Sequence, residues 1–229
     1  MMEEVQIPYC ELSEQQRIPG ILEQTDRLRR TRRYALELSD TFLPAVFLEL
    51  FGDLKSEGAQ WPIEALGEHL EAIEGGVNFN PIGENEPASD WRVLKVSSVS
   101  WGEFLPDESN PISPSEQFDD KLVVKLGDLI MSRANTIELV GAVAHVKTPP
   151  PKVLLPDKLW RLRFSADSCL LPDYVLFALR SRVLRREIEI RASGTSGSKK
   201  NISKEDASTL RFAIPPLPLQ EKFLPFVLQ

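Results

Sequence analysis

From Ile21 to Phe51 the sequence contains no glycine and is dense in Leu, Arg and Glu. A stretch of that length and composition has one economical conformation, a long helix, and its beginning can be placed at Leu12. Two columns at seven-residue spacing are mostly apolar: Ile21, Leu28, Ala35, Phe42, and Leu22, Arg29, Leu36, Leu43, Leu50. A third, Ile18, Thr25, Arg32, Ser39, Val46, is mixed. The resulting stripe is broad and imperfect, which suits packing on one or more partner helices better than a strict two-stranded zipper. Arg27, Arg29, Arg30, Arg32 and Arg33 crowd the middle of the helix, where a solvated or ion-paired flank is the plain reading. Pro44 is expected to kink the helix or start a new one, and Phe51-Gly52-Asp53 supplies its stop signal.

Asp53 to Pro62 reads as a polar, turn-rich linker and hence a domain boundary. Beyond it, Gly75-Gly76, Asn80-Pro81, Asn110-Pro111 and Ser113-Pro114 punctuate short helical and extended pieces. Strands are expected over Trp91 to Ser100, before and after the Gly127-Asp128 turn, over Val140 to Val146, and from Leu159. Pro172 opens an amphipathic helix that ends near Ser193-Gly194. Ser203 caps a short helix over Lys204 to Leu210, and a last strand follows at Arg211. The mixture lacks regular βαβ alternation and any GxGxxG or P-loop spacing. It predicts an α/β fold of the α+β kind with a mixed twisted sheet, preceded by a long coiled-coil-type helix.

Chemistry is constrained by what is scarce. Two cysteines, Cys10 and Cys169, lie far apart without a CxxC or Cys/His cluster, and Cys169 is expected to be a buried free thiol. His69 and His145 are the only histidines, with no partner at ligand or triad spacing, so metal or nucleophilic catalysis by this chain is not indicated. No apolar run reaches bilayer length and the N-terminus is acidic and polar, so a cytoplasmic protein without a membrane partner is expected. The net charge of −7 argues against nucleic acid until its distribution is considered. Arg161 to Arg211 carries eleven Lys or Arg against six acids, +5, leaving −12 for the remainder. A local basic face can attract phosphates while the acidic rest is screened from it.

Two segments carry side chains suited to such a partner. Gly194 to Asn201 follows a basic helix and offers Thr195, Ser196, Ser198 and Asn201 with Lys199 and Lys200, all able to meet a DNA backbone phosphate. A flexible connection between helix and strand is the bland alternative. Ser132 to Glu138 is a polar loop at a strand end carrying Ser132, Arg133, Asn135 and Thr136. Arg suits a guanine edge and Asn an adenine edge, although many surface loops contain both. There is also an internal echo: Ile7-Pro8, Leu12 and Glu14 recur at the same spacing as Ile214-Pro215, Leu219 and Glu221. The chain reads as if it begins at the end of one module and stops at the end of the next.

The ordered combination of "IPYCELSEQQRI" leading into an Arg-rich helix that ends "LFLELFGD", then "LGDLIMSR", then "SGTSGSKKNISKEDASTLRFAIPPLPLQEKF" resembles the DNA specificity (S) subunit of type I restriction-modification systems. The resemblance covers nearly the whole chain. It implies a conserved spacer helix over 1–53, one target-recognition domain over 61–211 and the start of a distal conserved region over 212–229. A full subunit of this kind has two recognition domains, so a half-length form is implied, which works as a homodimer through its spacer helices or with a second specificity polypeptide. The resemblance further implies a non-catalytic protein whose partners are double-stranded DNA, a methyltransferase subunit and a restriction subunit that acts as translocase and endonuclease. It implies no cofactor on this chain, with S-adenosylmethionine on the methyltransferase. Base discrimination is expected from Ser132 to Glu138 and from the Gly76 to Asn80 stretch with Asn78 and Asn80, and phosphate positioning from Lys199, Lys200 and their neighbours. Two other readings remain: a relative that only binds the methyltransferase, and a stand-alone enzyme.

Overall fold

The computed structural model describes residues 11–55, 60–80, 82, 89–196 and 199–227, with the side chains of 35–40, Thr195 and Ser196 outside that description. The chain forms two compact units, one ending at Ala45 and one running from Val46 to the C-terminus.

Helix α1 (Leu12–Phe51) crosses that division. It runs uninterrupted through Pro19 and Pro44, so the expected restart at Pro44 does not occur. Each proline removes one backbone donor, and the helical bonds on either side are numerous enough to carry the element past it. In its first unit Leu12, Ile18, Ile21, Leu22, Leu28 and Tyr34 are exposed. The arginines pair locally, Arg30 with Asp26 at 2.6 Å and Arg17 with Glu14 at 3.0 Å, in exposed contacts that contribute little. At the C-terminal end Gly52 takes φ +64 and its N–H donates to the Leu48 carbonyl at 2.8 Å, the glycine stop foreseen from the sequence. The expected boundary at the polar turn after Gly52 lies later than the division at Ala45/Val46, because Phe47 and Phe51 bury their rings in the second unit.

In the second unit β1 (Ile63–Ala65) is followed by β2 (Leu70–Gly75), β3 (Arg92–Leu94) and β4 (Ser109–Pro111). Then come β5 (Leu129–Ser132), β6 (Ala134–Asn135), β7 (Val143–His145), β8 (Val153–Leu154) and β9 (Leu159–Phe164). Helices α2 (Pro172–Arg180) and α3 (Arg182–Arg191) precede the hairpin β10 (Ser193–Ser196) and β11 (Lys199–Asn201). The described chain finishes with α4 (Lys204–Ser208), β12 (Arg211–Ala213), α5 (Leu217–Glu221) and α6 (Leu224–Val227). The strands form several small sheets instead of one mixed sheet: an antiparallel β2-β9-β5-β7, a β4-β3-β8 sheet in which β3 and β8 are parallel, a β10-β11-β6 sheet, and the pair β1-β12.

Three expected elements differ for identifiable reasons. Trp91 to Ser100 is a strand only to Leu94, then a 3-10 turn over Val96–Val99. Ser98 and Ser100 donate their hydroxyls to the Lys95 and Val96 carbonyls, offering the backbone an alternative to a ladder. The segment before Gly127 is a 3-10 turn over Asp120–Leu122, capped by the Asp119 carboxylate, instead of a strand. The single helix expected from Pro172 is two, because Ser181 takes an extended conformation and accepts from the Leu184 N–H to start α3.

Two parts of the core bear on the site. Leu94, Val99, Val124, Ile130, Ala144, Val146, Val153, Leu155 and Leu159 pack into one apolar cluster at the strands. At the other, Phe47 and Phe51 of α1 meet Tyr174, Phe177 and Phe223, with centroid separations from 4.8 to 5.9 Å. The Tyr174 hydroxyl donates to the Ala213 carbonyl, and burial pushes its pKa above the ordinary tyrosine value. Gln220, also buried, accepts from the Leu171 N–H and donates to the Cys169 and Pro215 carbonyls, locking the Pro-rich exit against the start of α2.

Candidate nucleic-acid interface

The two polar segments read separately from the sequence are neighbours in the fold. Strand β11 pairs antiparallel with β6, placing Lys200 opposite Asn135 and Asn201 opposite Ala134. The Arg133 N–H donates to the Lys158 carbonyl at 3.0 Å, and the Ile202 N–H donates to the Arg133 carbonyl at 2.9 Å. Together with Val96, these three chain segments enclose a surface hollow of about 480 Å³ lined by Val96, Ala134, Asn135, Lys158, Lys199, Lys200 and Asn201. Lys158 was not among the residues singled out from the sequence. It lies just ahead of β9 and reaches the hollow only through strand pairing, a relation no local pattern encodes.

The side chains divide into held and free. Asn135 donates from Nδ2 to the Ser100 hydroxyl at 3.4 Å and accepts from the Thr136 N–H at 2.9 Å, so its amide is oriented before any ligand arrives. Lys200 donates from Nζ to the Gly194 carbonyl at 2.9 Å. Arg133, Lys158 and Lys199 are exposed, and among the described residues their side chains have no partner. Three uncompensated cations beside a preset amide and one tethered lysine make a local positive surface on an acidic protein. Gly194 makes the hairpin possible: it takes φ +137, and a Cβ there would lie 2.2 Å from the Lys199 carbonyl oxygen.

Other sequence candidates fall elsewhere. Ser132 is fully buried and its hydroxyl donates to the Leu139 carbonyl at 3.0 Å, so it shapes the loop and does not face a ligand. Thr136 is half-buried, and its carbonyl accepts from the Leu139 and Val140 N–H groups. Asn78 and Asn80 are exposed on the segment after β2, where Val77 bridges Pro156, but they do not line the hollow. The backbone of Thr195 and Ser196 belongs to β10 while their side chains, and all of Gly197 and Ser198, lie outside the described residues. So do residues 5–10, where the N-terminal echo of the Ile-Pro motif falls, and Pro81.

Much of the basic segment proves structural. Arg161 is buried, bonded to Glu74 at 3.0 Å and to the Lys121 and Val123 carbonyls, with its Nε 2.9 Å from Asp128. Arg163 donates to the same Glu74, whose carboxyl it holds below the ordinary value, assisted by Arg161. Arg185 donates to the Val140 and Glu138 carbonyls, and burial lowers its pKa. Arg191 binds Glu187, the Asp206 carbonyl and Thr209. The excess charge along the sequence thus overstates the charge left for a ligand.

Cys169 is exposed, contrary to the expected buried thiol, because it sits in the turn before α2. Its Sγ is 4.0 Å from His69 Nδ1, and His69 Nε2 lies 2.9 Å from Glu64 without the alignment of a hydrogen bond. The Cys169 thiol and the His69 ring thus make one long sulfur hydrogen bond. His145 instead lies with Lys147 against the buried Asp173, at 3.1 and 3.2 Å. Among the described residues no group of three His, Cys, Asp or Glu side chains is placed to hold a metal ion. No helix among them is long and apolar enough to cross a membrane.

Comparison with known proteins agrees with the resemblance read from the sequence. The specificity subunit of the Type I restriction enzyme EcoEI from Escherichia coli is 26% identical over 167 residues, covering 72% of this chain and 28% of that protein. Among solved structures, the HsdS subunit from Thermoanaerobacter tengcongensis superposes with a TM-score of 0.52 and 20% identity, over 96% of this chain and 51% of that one. A chain from a study of complex assembly and conformational transition of the type I R-M system gives 0.59 and 19%, over 97% of this chain and 53% of that one. No protein-family model matches. The chain therefore has the fold of these specificity subunits, a long helix leading into a mixed α/β unit, and spans about half the length of the solved relatives.

Proposed function

We propose that this chain, similar in sequence and fold to type I specificity subunits, is a non-catalytic DNA-recognition subunit that directs a methyltransferase and a restriction subunit to a target site. The observation carrying this reading is the β6–β11 pairing, which unites two polar segments and lines one hollow with Asn135, Lys158, Lys199 and Lys200. Arg133, Lys158 and Lys199 would engage duplex phosphates and set the protein's register on the groove. Asn135, held in advance by Ser100, would read a base edge with little ordering cost.

Methyl transfer and its cofactor S-adenosylmethionine belong, in this reading, to the methyltransferase partner. The exposed apolar residues of α1 suit packing against another helix, supplied by a second copy of the chain or by another specificity polypeptide. Two identical recognition units related by a two-fold axis would read a bipartite palindrome. The test is to map methylation in genomic DNA from cells expressing this chain as the sole specificity polypeptide alongside its methyltransferase. A bipartite palindromic motif supports the homodimeric reading. Absence of methylation, with the assembled complex shown to be present, removes it and leaves the need for a second specificity polypeptide or a purely protein-binding role.

A further inference from the structure

Trp101 is 68% exposed, the largest of the exposed apolar side chains among the described residues. It projects from a firmly built turn. The Leu105 N–H donates to the Ser98 carbonyl at 2.9 Å, and Ser98 and Ser100 bond back to Lys95 and Val96. Gly102 takes φ +80 with Arg180 pressed against it, since a Cβ there would fall 2.4 Å from Arg180 Cζ. The indole has no hydrogen-bond or ring partner among the described residues. A rigid mount for an unpartnered aromatic ring makes little sense for folding alone, because the ring forgoes the burial that makes Trp valuable in a core.

The turn is continuous with the cationic hollow. The 3-10 turn Val96–Val99 contributes Val96 to the wall of that hollow, and Ser100, immediately before Trp101, accepts the Asn135 amide. A second hollow of about 220 Å³, lined by Trp101 itself, is also lined by Ser100, Glu138, Leu139, Arg180 and Arg185. The occupant that fits an aromatic face next to phosphate-seeking cations is nucleic acid, whose sugars and bases present apolar surface within reach of the charged backbone. Resting on the DNA-recognition reading above, we propose that Trp101 is a stacking contact of the same interface, packing on the sugar and base surface of the target where it carries no charge.

Stacking and phosphate contacts differ in salt dependence, because only the latter release counterions. The full chain would be used to enrich duplexes from a random-sequence pool, and the enriched pool titrated at several salt concentrations with wild type, W101A, W101F and a K199E/K200E double variant. The expected result is a loss between about fivefold and about a hundredfold for W101A, with an unchanged slope of log affinity against log salt, and near-complete recovery in W101F. Affinity of W101A within twofold of wild type, while K199E/K200E binds weakly with a shallower slope, overturns the Trp101 assignment and leaves the interface standing. A shallower slope in W101A also overturns it, since the indole would then be acting through the cations. If no duplex is enriched, or K199E/K200E binds as wild type does, the DNA-recognition reading itself falls.

Discussion

Replacing Lys158 by Ala offers the sharpest test of the interface, because nothing local in the sequence marks this residue and its assignment comes from strand pairing alone. Its side chain is exposed and unpartnered among the described residues, so truncation breaks no bond within the protein and stability should hold. If its ammonium neutralises one phosphate, the slope of log affinity against log salt should become shallower by about 0.9. At an ionic strength of about 0.15 M the same relation corresponds to roughly 0.7 log units, a loss of about fivefold in affinity. Removing Arg133, Lys158 and Lys199 together should cost on the order of a hundredfold at that salt and almost nothing near 1 M, where the counterion term vanishes. Titration of a labelled duplex by fluorescence anisotropy across a salt series reads both quantities. A K158A protein with wild-type slope and affinity, beside a K199A protein that loses both, would show that the hollow is not traversed by DNA on its Lys158 side and that shared lining was a misleading criterion.

Two stability predictions concern residues away from the hollow. Gln220→Ala removes three hydrogen bonds and strands the Leu171 N–H and the Cys169 and Pro215 carbonyls, so a loss of about 2–4 kcal/mol is expected, read as a lower denaturant midpoint with unchanged slope. Asp173 is buried, which by itself raises its pKa, but His145 and Lys147 outweigh this and hold it below the ordinary value of 3.8. Its contribution to stability should therefore be complete above that value and disappear as pH falls below it through the folded-state pKa, and an Asp173→Asn protein should lack this part of the acid dependence when urea midpoints are measured against pH.

How much could be read in advance varied with how local the cause was. Helix α1, its Gly52 stop and the Ser203 cap were legible because each is written in a few adjacent residues. The break at Ser181 was not, since a serine inside an amphipathic pattern looks helical until its hydroxyl is seen capping the next segment. The two residues of β6, Ala-Asn, carry no β signal of their own and form a strand only because β11 lies beside them. The candidate site followed the same division. Lys199, Lys200 and Asn135 were identifiable as residue types suited to DNA, whereas the loss of Arg161, Arg163, Arg185 and Arg191 to internal partners depends on tertiary neighbours such as Glu74, the Val140 carbonyl and Thr209. Ser132 was misjudged for the same reason, its hydroxyl being absorbed by Leu139.

The β6–β11 pairing has a consequence for how such a protein can change. Main-chain groups hold the two segments in register, Lys200 opposite Asn135 and Asn201 opposite Ala134, and main-chain groups are the same whatever side chains they carry. The outward-facing residues can therefore be exchanged without disturbing the frame that presents them, so under the proposed DNA-recognition role new target preferences would be reachable by single substitutions. Gly194 is the exception, because the Lys199 carbonyl occupies the space any side chain there would need. A designer wishing to rewrite this surface has a mutable alphabet at 133, 135, 158, 199 and 201, and one letter, at 194, that must be left alone.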